Sequence, residues 1–452
     1  MSVNVSGGGA LTRAAGSRTD AGDRVPDRAE APGDHRPARR RSLGFLAIGL
    51  VLLALNLRPG VVAVSPLLDT IRADTGMSTS MAGLLTTLPV LCFGLLAPIA
   101  PRLGRRFGVN PVLLVMMMLL AAGTALRLLS PTATLLIGTV VVGAAIAVAN
   151  VLLPGVIKQE FRSRVGLMSG VYSMSLFGGA ALAAGATLPI ANATNLGWRP
   201  ALGIWGLLAV LATLVWLPQL RHRPARGGAG TGPAAAGDVA DRVVRGMWTH
   251  PVAWLVAFYF AAQALVFYSS AAWLPTILSN AGMSSGTAGW MLSFSSLTAV
   301  VGAFFTPMLA ARRLRPGVLV LSSALLTMVA FAGLLVAPGS DTYLWMTLMG
   351  VGQGAGLSLS VLFIVLRAPD ARHAAQLSSM AQCSGYILSA VGPLALGALH
   401  QATGGWALPL AVLIVLGAPT VFFGLGAARE RYASHEVTAT ATGLGRGAAS
   451  DA

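Results

Sequence analysis

Charge is what this sequence has least of. Only 10% of its 452 residues are Asp, Glu, Lys or Arg, against 55% hydrophobic. A soluble domain averages roughly 25% charged residues, so a water-facing surface of this size is excluded. Lysine is almost missing: Lys158 is the sole example, and arginine supplies the rest of the positive charge. With the excess of Ala and Gly, that bias hints at GC-rich coding and a bacterial source. Cysteine is scarce as well. Cys92 and Cys383 both sit in apolar runs, where a thiol packs as a small hydrophobe, and they say nothing about redox compartment.

What remains is a series of long apolar runs, each able to cross a hydrocarbon core of about 30 Å. Twelve are marked: 43–67, 80–101, 109–129, 133–157, 166–190, 199–218, 249–277, 287–310, 316–337, 343–366, 375–399 and 406–427. Residues 1–41 carry no apolar run and lack the plan of a signal peptide. They read as a disordered cytoplasmic tail, and 429–452 reads the same way. The segment 219–247, with Pro224, Gly227, Gly228, Gly230 and Pro233, reads as a flexible linker between bundles at 42–218 and 248–428.

The net charge of +16 invites a nucleic-acid reading, but in a membrane chain basic residues orient the spans. Of the 31 basic residues, all but Arg58, Arg72, Arg127 and Arg199 fall in the tails, the linker or alternate loops on one side. That asymmetry fits an even number of crossings with both termini cytoplasmic.

The two halves repeat. Gly76-Met77-Ser78 followed by Ala82-Gly83 answers to Gly282-Met283-Ser284 followed by Ala288-Gly289. Pro101 pairs with Pro307, Arg105-Arg106 with Arg312-Arg313, and Gly197-Trp198 with Gly405-Trp406. Each repeat spans six crossings, so the two share orientation. Parallel six-helix halves are the architecture of major facilitator transporters, with alternating access around a site near mid-membrane.

The motifs bear a resemblance to that superfamily. The second-to-third loop reads Ala97-Pro98-Ile99-Ala100-Pro101-Arg102-Leu103-Gly104-Arg105-Arg106. Arg102, Gly104, Arg105 and Arg106 match the family's conformational loop. The usual leading Gly is Ala97 and the usual Asp is Pro101, so the family's latch cannot be carried over. Leu55-Asn56-Leu57-Arg58-Pro59 resembles the hallmark of the cyanate/nitroimidazole transporter branch. Asn150-Val151-Leu152-Leu153-Pro154 and Gly197-Trp198-Arg199 are also similar to it. The likeness covers about residues 43–428 and implies an all-α membrane protein whose first, fourth, seventh and tenth helices line a cavity.

Arg58 stands out. It lies about 22 Å along a helix begun at Leu43, too deep to reach the cytoplasm easily. A charge at that depth is a candidate functional site. Pro59 and Gly60 follow it and predict a kink. A structural arginine satisfied by neighbouring carbonyls is the competing reading. No Asp or Glu falls inside any marked span, which favours an anion arriving as substrate and argues against a carboxylate proton relay.

Asn56, Asn150, Gln263 and Gln353 are the other candidate substrate-binding residues, on the cavity-lining helices. Helix–helix hydrogen bonding is the rival role for each. Tyr172, Tyr268, Gln382 and Tyr386 are weaker candidates, and Tyr268 reads better as an interfacial aromatic. Arg127 is read as snorkelling outward, and His250 as an edge residue with no coupling role. Gly143, Gly178, Gly179 and Gly350 to Gly356 are read as close-packing positions. No phosphate loop is present, since no Lys-Ser/Thr follows the glycines.

The expectation is therefore a secondary transporter of a small anionic or polar solute, cyanate-like, in a bacterial inner membrane. The bilayer and that solute are its expected partners, with a proton as candidate coupling ion. It is expected to act as a monomer without metal, cofactor or nucleic acid. Export of drug-like or azole organics is the second reading. A membrane-embedded enzyme lacks an intramembrane nucleophile–base set, and a sensor lacks an added soluble domain.

Overall fold

The computed structural model describes residues 36–433, except 78, 131, 194–196, 222–245 and 313. Most of the expected linker and most of both expected tails lie outside the described residues. The chain divides into a unit of residues 1–42 and a unit of 43–452. Every described element is helical.

Among the described residues, twelve spans are long and apolar enough to cross a membrane: Gly44–Val62, Thr87–Phe107, Val109–Leu126, Thr132–Glu160, Arg162–Ala191, Trp198–Leu220, Pro251–Asn280, Gly286–Ala311, Pro316–Val336, Thr342–Leu366, Ala371–Thr403 and Ala407–Ala428. They match the twelve marked runs one for one. The first helix begins at Arg36, earlier than the apolar run, with Pro37 in its first turn, where a missing N–H costs nothing. It stops at Asn56 and a four-residue helix, Pro59–Val62, follows. The chain then turns through Ser65–Leu67 into Leu68–Thr75. The first apolar run is thus one span and a redirected helix rather than a single rod.

Chain direction brings the arginine-bearing loops to one end of the bundle. At the other end Asp74 accepts from Trp198 Nε1 at 3.0 Å and Arg199 at 2.8 Å. Those two donors, the Trp198 indole first, hold its carboxyl below the usual range. The Gly197-Trp198-Arg199 motif thereby pins the start of the sixth span to the first-to-second connection. Its repeat mate is pinned without an ion pair: Trp406 stacks on His400 at 3.9 Å.

Small residues set the packing. Gly350 and Gly354 of the tenth span press on Ser295 and Ala299 of the eighth, and Gly352 on Thr327 of the ninth. Between the halves, Gly155 meets Ala371, Gly166 meets Pro307, and Gly170 meets Phe304. All three contacts lie toward the arginine-rich end, and there the halves are closed on each other.

Candidate functional site

Arg58 precedes Pro59, whose ring cannot donate to the Leu55 carbonyl, so the helix breaks there. The break leaves Arg58 partly exposed in a cavity of about 20 Å³. Nη1 donates to the Tyr268 hydroxyl at 3.4 Å, and the guanidinium stands 5.7 Å from the Phe267 ring centre. Both are seventh-span residues, so the cation of one half meets aromatic rings of the other. Tyr386 of the eleventh span joins them, 6.1 Å from Tyr268 and 5.5 Å from Phe260 between ring centres. Among the described residues that line the cavity, none is acidic.

Toward the arginine-rich end the cavity is floored by polar groups. The Tyr172 hydroxyl donates to Asn150 Oδ1 at 3.1 Å. Gln382 Nε2 donates to the Asn150 carbonyl at 3.1 Å and to Ser378 Oγ at 2.8 Å. Its Oε1 is buried with no partner among the described residues. Below that floor, Ser379 Oγ donates to the Ala97 carbonyl at 2.9 Å and ties the eleventh span to the second. A cavity this small holds about one water; a larger solute needs the walls to part.

Five sequence candidates therefore line the cavity: Arg58, Asn150, Tyr172, Gln382 and Tyr386. Tyr268 joins them through Arg58. Its interfacial reading is overturned, because it faces the arginine rather than the membrane edge. Three candidates stand elsewhere. Asn56 donates to Leu52 O at 2.8 Å and to Leu208 O of the sixth span at 3.2 Å. Gln353 donates to Ser270 Oγ at 3.0 Å. Gln263 lies where a side chain on Gly356 would collide with it. Their amides serve helix packing in this structure.

Two further readings change. Arg127 does not snorkel: it is 1% exposed and donates to the Gly60 carbonyl at 2.6 Å. His250 caps the seventh span, its Nδ1 accepting from Val252 N at 3.3 Å. The sequence reading missed Ser173, Phe177 and Phe260 of the cavity wall and Phe267 beside Arg58. Ser169, Ser173 and Phe177 recur at four-residue spacing on one face of the fifth span, which was the available signal.

The loop residues lie apart from the cavity, on the helix Ala100–Phe107. Arg102 donates to Pro98 O at 2.8 Å, Arg106 lies over Phe107, and Gly104 packs on Leu152. A second cavity, about 190 Å³, lies between the halves, lined by Lys158, Arg162, Val165, Pro369, Asp370 and Ala371. Asp370 caps the eleventh span, accepting from His373 N at 2.9 Å. Burial opposes its charge, but bonds from the His373 ring and from the His373 and Arg372 backbone hold its carboxyl at about 2. Among the described residues no cluster of His, Cys, Asp and Glu is suited to a metal ion.

Comparison with known proteins adds a family. Residues 44–393 match the profile of the Major Facilitator Superfamily. The sequence is 40% identical to the uncharacterized transporter YycB of Bacillus subtilis, over 86% of this chain and 94% of that one. It is 36% identical to the 2-nitroimidazole transporter of Escherichia coli, over 85% and 96%. It is 30% identical to the E. coli cyanate transport protein CynX, over 81% and 94%. Among solved structures, the proton:xylose symporter XylE superposes with a TM-score of 0.69 at 14% identity, covering 88% of this chain and 98% of its own. That last likeness concerns the fold alone.

Proposed function

The chain belongs to the major facilitator superfamily, in the branch of the 2-nitroimidazole and cyanate transporters, and on that premise we propose that Arg58 holds a small anionic or polar solute during alternating access. The observation that carries this is the cavity: among its described lining residues stand one guanidinium and no carboxylate, with hydroxyl and amide groups from both halves around it. A cation in the membrane interior without a counter-ion is costly. An arriving anion removes that cost and gains charge-assisted hydrogen bonds from the fork of donors. The Arg58–Tyr268 bond joins the halves, so a solute that takes over Arg58 loosens one tie between them.

The arginine-rich end is read as cytoplasmic in a bacterial inner membrane, with both termini on that side. The reading rests on the distribution of arginine. With no carboxylate among the described residues lining the cavity, a coupling proton would travel on the solute itself.

A second reading has its own observation. Gln382 Oε1 is an acceptor with no partner among the described residues, and Tyr172, Phe177, Phe260 and Tyr386 line the same cavity. A flat azole with both an N–H and an acceptor would use Gln382 and Arg58 together.

Proteoliposome uptake separates these readings. Cyanate, benzoate, nitrate and 2-nitroimidazole would be compared for the native protein, Arg58→Ala and Gln382→Leu. Loss of anion uptake in Arg58→Ala alone supports the first reading. Loss of azole uptake in both variants supports the second. Equal uptake of every solute by native protein and Arg58→Ala would sink the Arg58 account.

A further inference from the structure

Between Arg58 and Val64 the first span breaks twice, and each break orphans a carbonyl. At the first, Pro59 has no N–H for the Leu55 carbonyl. That carbonyl is covered by Gly179 of the fifth span, in a contact too close for any side chain. At the second, the Val64 amide bonds to Val61 O at 3.4 Å. In a continuing helix it would have served Gly60 O. Among the described residues the Gly60 carbonyl then has no backbone donor, in an apolar interior where an unmet acceptor is costly.

Arg127 supplies the missing donor. Its Nη1 reaches Gly60 O at 2.6 Å, and the residue is all but inaccessible. Glycines clear its path: a Cβ on Gly138 would stand 2.6 Å from the Gly123 carbonyl and 2.9 Å from Arg127 Cγ. Arg127 is also the C-cap of the third span, where the helix dipole favours a cation. Its Nε and Nη2 have no partner among the described residues. The one described side-chain bond of this buried cation is thus spent on the turn that carries Arg58.

We propose that Arg127 is a positioning residue: by holding the Gly60 carbonyl it fixes the Pro59–Val62 turn and so sets where Arg58 stands in the cavity. The inference rests on the reading of Arg58 as the solute-holding group. It adds a second arginine that acts only through the first.

The test uses Arg127→Met, which keeps the stem and drops the donors, and Arg127→Lys, which keeps a charge and a donor. With cyanate and 2-nitroimidazole as probes in proteoliposomes, Arg127→Met is expected to raise KM about tenfold, the worth of one charge-assisted hydrogen bond, with little change in Vmax. Arg127→Lys is expected to recover most of that loss. A second measurement needs no transported probe. In a Cys92→Ser, Cys383→Ser background, Arg58→Cys and Tyr386→Cys are labelled separately with a small methanethiosulfonate. Arg127→Met is expected to change the labelling rate at position 58 about fivefold or more, since misplacement by an ångström has large kinetic effects. The rate at position 386 should hold. Should Arg127→Met fail to assemble, Gly138→Ala crowds the slot with Arg127 in place and should shift position 58 in the same way. Unchanged KM and unchanged labelling at 58 would overturn the proposal. Equal shifts at 58 and 386 would overturn it too, as general loosening. If Arg58→Ala transports both probes like the native protein, the Arg58 reading fails alone, and the labelling still decides whether Arg127 places the turn.

Discussion

At matched positions in the repeat, the first span breaks at Arg58, while the seventh runs unbroken from Pro251 to Asn280. The offset between the halves sets Ala264 to Val266 against Arg58, so the C-terminal half has no charge there. It brings Phe267, Tyr268 and Tyr386 instead. The N-terminal half holds its irregular segment with Gly179 and Arg127. The C-terminal half is organised on an uninterrupted tenth span, whose glycines face the seventh, eighth and ninth. One fold, used twice, thus presents a cation on broken backbone to rings on regular helices. Broken backbone is tolerated at membrane depth only where protein or a cavity satisfies it, and both conditions meet on one side of the site.

The division can be broken outright by moving the charge. Arg58→Ala is expected to lower anion uptake by about 100-fold, the cost of losing a buried charge-assisted contact. Adding Ala264→Arg should not restore it, because Ala264 is only 2% exposed within the packed seventh span and does not line the cavity that holds Arg58. Restored uptake would show that the halves are interchangeable.

The rigidity of the C-terminal half is probed next. A Cβ at Gly354 would overlap the Ala299 carbonyl, whereas one at Gly178 would meet only Leu55 Cδ2 at 3.9 Å. Gly354→Val is expected to cost about 1–3 kcal/mol or more through overpacking, read as a lower Tm in detergent. Gly178→Ala should leave Tm nearly unchanged. Smaller still is Tyr268→Phe. It removes a long hydrogen bond that competes with the solute for Arg58, and is expected to lower KM by about threefold or less.

The smallest effect concerns Asp370, the cap at the arginine-rich end. Its folded pKa, about 2, lies below the usual 3.8. A depressed carboxylate stabilises the fold above its unfolded pKa. That contribution is whole above about pH 4 and is lost as pH falls toward 2. Tm of the native protein minus that of Asp370→Asn should therefore be flat at neutral pH and shrink only across that acid window.

The spans, their number and the repeat were legible because hydropathy and arginine placement are one-dimensional properties. Arg58 was legible because depth alone makes a charge conspicuous. Residue count gives height in a membrane but not direction around a helix axis. Asn56 ends the helix and turns to the sixth span, while Arg58, two residues on in the break, meets the cavity. Arg127 looked like an outer-edge arginine for the same reason: its height was right and its facing was not. The aromatic wall escaped because Phe177, Phe260 and Phe267 are indistinguishable in sequence from lipid-facing residues.

The central claim is that Arg58 holds the solute, and ligand-induced stabilisation tests it most directly. Tm of the purified protein would be followed against a panel of small anions and azoles, for native protein and Arg58→Ala. A bound solute raises Tm by mass action. The account predicts that at least one anion raises Tm of the native protein and that this rise vanishes in Arg58→Ala. The same rise in both proteins would contradict it.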